Sequence, residues 1–163
     1  MNGCQAPVSR TARALGEAVP STGTDVLVRD VMLRNPKTLS ARASVDEVRA
    51  ALTNDHVHMV LMTEGGVLLG TVVRADLPRT AEGDSAALPW STLHGRTVLP
   101  EAHVGAVHDL MTGLAQRRVA VVDHEGTLLG LMCLKRRRTG FCSDDDVASR
   151  AQSRRAADSE EQA

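Results

Sequence analysis

Gly66 to Leu77 reads Gly-Val-Leu-Leu-Gly-Thr-Val-Val-Arg-Ala-Asp-Leu, and Gly126 to Arg137 reads Gly-Thr-Leu-Leu-Gly-Leu-Met-Cys-Leu-Lys-Arg-Arg, 60 residues later. Each stretch follows an apolar run and a short polar turn: Met59 to Met62 before Thr63-Glu64-Gly65, and Val119 to Val122 before Asp123-His124-Glu125. A repeat of this length is a whole supersecondary unit, and it constrains the fold more than any single motif. Two copies are too few for a solenoid, so a two-fold pair is expected.

Each copy reads strand, helix, strand, strand, helix start. In the first, Val28 to Met32 forms a helical turn and Asn35-Pro36 breaks it, because the residue before proline is pushed out of the α region. Thr38-Leu39 starts a strand. Ser44-Val-Asp-Glu47 is a capping box, and Val45, Val48 and Leu52 follow at helical spacing. Met59 to Met62 and Val67 to Val73 form a hairpin around a glycine turn. Asp76 stands where a further helix would start, with Pro78 in its first turn. Thr80 to Pro89, rich in Ala, Gly, Ser, Asp and Pro, links the copies.

In the second copy Trp90 to Leu93 is the helical turn, ended by Gly95, and Thr97 to Leu99 the first strand. Val104, Val107, Leu110, Met111 and Leu114 mark a helix weakened by Gly105 and Gly113. The helices are offset by 59 residues and the hairpin strands by 60, which predicts one residue inserted between helix and strand. Leu61 and Val121 are then equivalent. Ser143 to Asp146 caps a polar C-terminal helix, and Asp158 to Ala163 is a loose acidic tail. Met1 to Thr24 lacks apolar period and reads as a mobile arm, with at most a poorly spaced helix over residues 8–19.

Composition excludes several functions. Basic and acidic residues nearly cancel, 19 against 20, and one Phe, one Trp and no Tyr leave few stacking platforms. A nucleic-acid binder is therefore disfavoured. No run approaches the roughly 20 apolar residues of a membrane-spanning helix, and no leader sequence is apparent, so a cytoplasmic protein is expected. Cys4, Cys133 and Cys142 lack zinc or disulfide-framework spacing; Cys133 reads as a small core residue. His56, His58, His103 and His108 read as surface or cleft residues rather than metal ligands, and Lys135 to Arg138 as a solvated helix face. No catalytic constellation is evident.

Val28-Arg-Asp-Val-Met32, Asn35-Pro36, Thr38, the capped helix and Leu69-Gly-Thr-Val-Val-Arg-Ala-Asp-Leu77 resemble a CBS domain, and the second copy resembles its usual tandem partner. The likeness covers about residues 26–140. It implies an α/β (α+β) fold of two CBS β-α-β-β-α repeats packed as a pseudo-two-fold Bateman module. The expected division is a flexible N-terminal arm at 1–25, repeats at 26–80 and 90–140, a linker at 81–89 and a polar tail at 141–163. The resemblance further implies a non-enzymatic regulatory module, stand-alone and homodimeric. Such a module binds an adenosine ligand (AMP, ADP, ATP or S-adenosylmethionine) without a resident cofactor or metal and acts on a protein partner. The alternative is a purely structural pair with degenerate clefts.

The family's ligand signature is Gly-h-x-Thr/Ser-x-x-Asp. Gly70 and Asp76 fit it, with Val73 at the hydroxyl position; Gly130 fits, but Cys133 and Arg136 replace hydroxyl and aspartate. Asp76 is either a helix cap alone or a cap that also binds ribose. Arg117 and Arg118 are either a solvated turn or phosphate contacts. The resemblance groups Val73, Asp76, Thr97, Val98, Arg117 and Arg118 in one nucleotide cleft. It groups Cys133, Arg136, Thr38, Leu39 and His58 in the other, which lacks a ribose acceptor.

Overall fold

The computed structural model describes residues 25–161, so the N-terminal arm and the helix considered at residues 8–19 lie outside the described residues. In order, α1 is Val28–Val31, β1 Thr38–Ser40, α2 Val45–Thr53, β2 Val60–Glu64 and β3 Val67–Val72. The second half runs β4 Thr97–Val98, α3 Val104–Gly113, β5 Arg118–Val122, β6 Leu128–Cys133 and α4 Asp144–Glu161. Each half builds one three-stranded sheet, ordered β1-β2-β3 and β4-β5-β6. In both, the first two strands are parallel and the last two antiparallel.

The local signals act as the sequence predicts. Ser44 and Glu47 form the reciprocal capping box on α2, with Ser44 N donating to Glu47 Oε2 at 2.7 Å and Glu47 N to Ser44 Oγ at 3.3 Å. Ser143 and Asp146 do the same for α4. Val45, Val48 and Leu52 of α2 are buried in the first repeat's core beside Val60, Met62 and Val72. Val107 and Met111 of α3 join Val119, Val121 and Met132 in the second. Leu110 and Leu114, expected on the buried stripe of α3, are 45% and 52% exposed. α4 extends helically through Glu161, where a loose tail was expected from Asp158.

The halves are interleaved. Leu33 and Leu131 exchange backbone hydrogen bonds of 2.9 and 3.0 Å, so the lead-in of the first repeat adds to the last strand of the second. Thr92 and Thr71 make the reciprocal exchange at 3.0 and 3.1 Å. Val28, wholly buried, sits in the second repeat's core, a burial worth about 1.5 to 3 kcal/mol. These crossings account for two glycines. A Cβ on Gly130 would come within 2.5 Å of the Leu33 carbonyl oxygen, and one on Gly70 within 1.9 Å of Ser91 Oγ. A second reciprocal pair, Leu68 N to Gly126 O at 3.0 Å and Leu128 N to Gly66 O at 2.9 Å, joins the two hairpin turns.

Register corrects the expected alignment. β1 pairs Thr38 with Leu61, and β4 pairs Thr97 with Ala120, so Leu61 corresponds to Ala120 and not to Val121. Thr71 and Leu131, which oppose Leu61 and Ala120, remain 60 apart. The extra residue therefore lies in the hairpin turn, two residues at Gly65-Gly66 and three at His124 to Gly126, rather than between helix and strand. A strand's side chains alternate between faces, so a one-residue slip exchanges core and interface. Leu61 and Ala120 meet between the sheets with Met59 and Leu68, whereas Met62 and Val121 face the separate cores.

Two short helices differ from expectation. No α-helix follows Asp76: Arg74–Asp76 is a 3-10 turn that Asp76 closes instead of capping a longer helix. The turn expected at Trp90 to Leu93 is displaced to Leu88–Trp90, because Thr92 is held extended by Thr71.

Candidate functional site

Asp76 enters its cleft from the end of β3, where the 3-10 turn brings its carboxylate back over Val73. Oδ2 accepts from Val73 N at 2.8 Å and from Arg96 Nη1 at 2.6 Å, and Oδ1 accepts from Arg96 Nη2 at 2.9 Å. The two side chains are 19% and 14% exposed. Burial alone would raise this carboxyl; the hydrogen bonds from Arg96 and Val73, with the guanidinium charge, outweigh it and hold Asp76 below its ordinary range. A planar guanidinium that donates to both oxygens leaves the carboxylate few lone pairs for a ribose diol. Arg96 was not singled out from sequence; its one signal is that it lies next to Thr97, a residue the resemblance already placed in this cleft.

The other residues assigned to the Asp76 cleft are dispersed. Val73 is half-buried against the apolar cluster of Leu61 and Ala120. Thr97 and Val98 form β4, and Val98 packs into the second core. Arg117 and Arg118 instead line a cavity of about 340 Å³ with Cys133 and Arg136, and neither Asp76 nor Thr97 contributes to its wall. The reason is topological. Arg118 starts β5, whose partner at that point is Cys133 at the end of β6. The two arginines therefore stand over the end of their own repeat's hairpin.

This cavity is strongly cationic. Its lining includes Arg117, Arg118, Lys135, Arg136, Arg137 and Arg150, with His56 and His58 from the other repeat and Asp55 as the lone carboxylate. Arg117 Nη1 lies 3.1 Å from His58 Nε2, and Arg118 Nη2 donates to the His56 carbonyl at 3.2 Å. A guanidinium has only donors, so neutral His58 accepts at Nε2 and carries its proton on Nδ1. Burial, followed by the charges of Arg117 and Arg118, pushes His58 below its ordinary value. Burial likewise pushes Arg118 down; Cys142 opposes this, and Arg117 and Arg150 add to it.

Two buried donors in this wall, Arg117 Nε and Arg118 Nη1, have no hydrogen-bond partner. A buried unpaired donor on a charged group is costly, and an anion seated in the cavity would relieve the mutual repulsion of the cations that line it. Lys135 to Arg137, expected on a solvated helix face, lie in the turn after β6 and line the cavity. Lys135 Nζ is 3.4 Å from Asp146 Oδ2. Cys133 is buried as expected, with Cys142 beside it. Among the described residues, no group of three or more His, Cys, Asp or Glu side chains is placed to hold a metal ion. None of the described helices is long and apolar enough to cross a membrane.

The family model of the CBS domain matches residues 28–81. No curated protein sequence matches the chain. Among solved structures, a CBS domain protein from Pyrobaculum aerophilum complexed with AMP is similar at 23% identity and a TM-score of 0.56, covering 66% of this chain and 87% of that one. A CBS domain pair in complex with 5′-methylthioadenosine and S-adenosyl-L-methionine is similar at 18% identity and a TM-score of 0.54, over 79% and 98% of the two chains. The cytosolic domain of a Mg2+ channel in complex with ATP is similar at 20% identity and a TM-score of 0.54, over 74% of this chain and 46% of that one.

Proposed function

We infer, from a chain whose residues 28–81 are a CBS domain and which has the fold of a CBS-domain pair, a regulatory module that binds an adenine nucleotide and signals its occupancy to a partner protein. The phosphates sit in the cationic cavity walled by Arg117, Arg118 and Arg136. The observation that carries this reading is the convergence of Arg117, Arg118, Lys135, Arg136, Arg137 and Arg150 on one cavity wall with Asp55 as its lone carboxylate. The AMP, ATP and S-adenosylmethionine bound by structural neighbours support an adenosine ligand. The sequence-based assignment to the Asp76 cleft gives way to this cavity, because Arg96 takes both Asp76 oxygens. The module works as a homodimer, supported by the exposed Leu110 on α3 and Leu114 just after it. The reading assigns it no catalytic step.

Calorimetry with AMP, ADP, ATP and S-adenosylmethionine tests the reading. Affinity rises with phosphate charge, ATP above ADP above AMP, and S-adenosylmethionine, whose sulfonium is a cation, binds least. S-adenosylmethionine binding as tightly as ATP would overturn the phosphate assignment. Failure of every adenosine ligand favours a structural pair that acts only by protein contacts, a reading supported by the Asp76–Arg96 ion pair.

A further inference from the structure

We propose that Cys133 and Cys142 are a redox-active dithiol that closes to an intrachain disulfide and fastens the base of the C-terminal helix to β6. The chain reverses after β6 through a turn in which Arg138 has a φ of 57°. It returns antiparallel: Leu134 bridges Phe141, Lys135 N donates to Gly140 O at 2.8 Å, and Cys142 N donates to Cys133 O at 2.7 Å. This register sets the two cysteines directly opposite each other, their sulfurs 2.9 Å apart. Both are free and buried, at 2% and 3% exposure. Both also line the cationic cavity, which supplies a route for a small reagent.

The co-reactant is a low-molecular-weight disulfide. The thiolate of one cysteine attacks a sulfur of the reagent, forming a mixed disulfide and expelling one thiolate. The second cysteine attacks the bonded protein sulfur, forming the intrachain bond and expelling the other. Two electrons pass from the protein sulfurs to the reagent, and the two protons leave on its two thiols. Closure ties β6 to Ser143, the cap of α4, and so holds Arg150, whose Nη2 lies 3.7 Å from Cys142 Sγ, on the cavity wall. A wall fixed in advance binds more tightly because less order is lost on binding. This last consequence rests on the proposed anion site.

The test uses the full chain carrying Cys4→Ser, equilibrated with glutathione disulfide or with excess dithiothreitol. Glutathione disulfide is expected to give a monomeric chain lighter by two hydrogen atoms, with no bound glutathione and with the 133 and 142 peptides linked. Unreacted thiols in the folded chain, or glutathione retained on either cysteine, would overturn the dithiol. Pyrophosphate titration of both forms is expected to show at least about threefold tighter binding by the disulfide form; equal affinity would overturn the coupling. Pyrophosphate binding to neither form, with the disulfide formed, counts against the proposed anion site and leaves the dithiol established. Cys142→Ser, checked for folding by circular dichroism, is expected to form no intrachain bond.

Discussion

The two halves of the molecule share a backbone plan and differ in what stands at matching places. Asp76 and Arg136 are equivalent in the hairpin numbering, and Arg96 and Lys37 lie equally far before β4 and β1. The acid of the first half and the base of the second neutralise each other in a tight, half-buried pair. At the matching pair, Arg136 and Lys37, both positions are cationic, and Arg117, Arg118 and Arg150 line the cavity beside Arg136. The duplicated scaffold tolerates both outcomes because its strands, caps and interleaved lead-ins hold their geometry without these side chains. One side has satisfied its polar groups internally; the other keeps buried donors without partners.

The largest contrast lies in the strands. Leu61 and Ala120 meet at the interface between the sheets from equivalent positions. Leu61→Ala removes the larger of the two side chains and is expected to cost about 2 to 5 kcal/mol, as for other emptied leucine sites. Denaturant unfolding measures it, and a loss of a few tenths would show that the sheets do not meet there.

The ion pair gives the next contrast. Arg96→Ala leaves a half-buried carboxylate without its partner and is expected to destabilise the fold by about 1.5 to 3 kcal/mol. Lys37→Ala, at an exposed position, is expected to stay within about 0.5 kcal/mol of the parent. Equal effects would erase the asymmetry between the two pairs.

For binding, Arg118→Ala is expected to weaken ATP at least about tenfold, the loss of roughly 1.4 kcal/mol. Asp76→Ala, with its fold verified, is expected to leave affinity within about threefold, well short of that 1.4 kcal/mol. The reverse order in calorimetry would return the ligand to the Asp76 cleft.

The smallest effect is that of pH. Folding holds His58 below its ordinary value through burial and then Arg117 and Arg118. Above its unfolded pKa of about 6.5, both states carry neutral imidazole and the full stability is present. As pH falls below that value, the unfolded chain binds the proton first, so stability declines toward the folded pKa. His58→Asn is expected to flatten this acid limb between the two values, followed by melting temperature against pH. A bound anion favours the imidazolium, so the wild type is also expected to take up protons on binding pyrophosphate.

Local chemistry alone explains why much of the fold was legible. The 60-residue repeat, the Ser44–Glu47 and Ser143–Asp146 capping pairs and the glycine turns act over three or four residues or recur as a block. Their meaning does not depend on what lies across the molecule. Gly70 and Gly130 were legible as positions, but their reason was not, since each is required by the other repeat's crossing lead-in. The register of β5 was hidden because Val119 to Val122 is apolar at every position and shows no alternation to mark its faces. The candidate site was the least legible part. The Asp76–Arg96 pair joins residues 20 apart, Arg117 meets His58 across 59, and the two cysteines meet only after the chain reverses. The sequence by itself determined the duplication, the order of the strands and the N-terminal caps of α2 and α4. Which charges are neutralised and which face a cavity was decided by the tertiary structure, because electrostatic pairing depends on distance in space and not on separation along the chain.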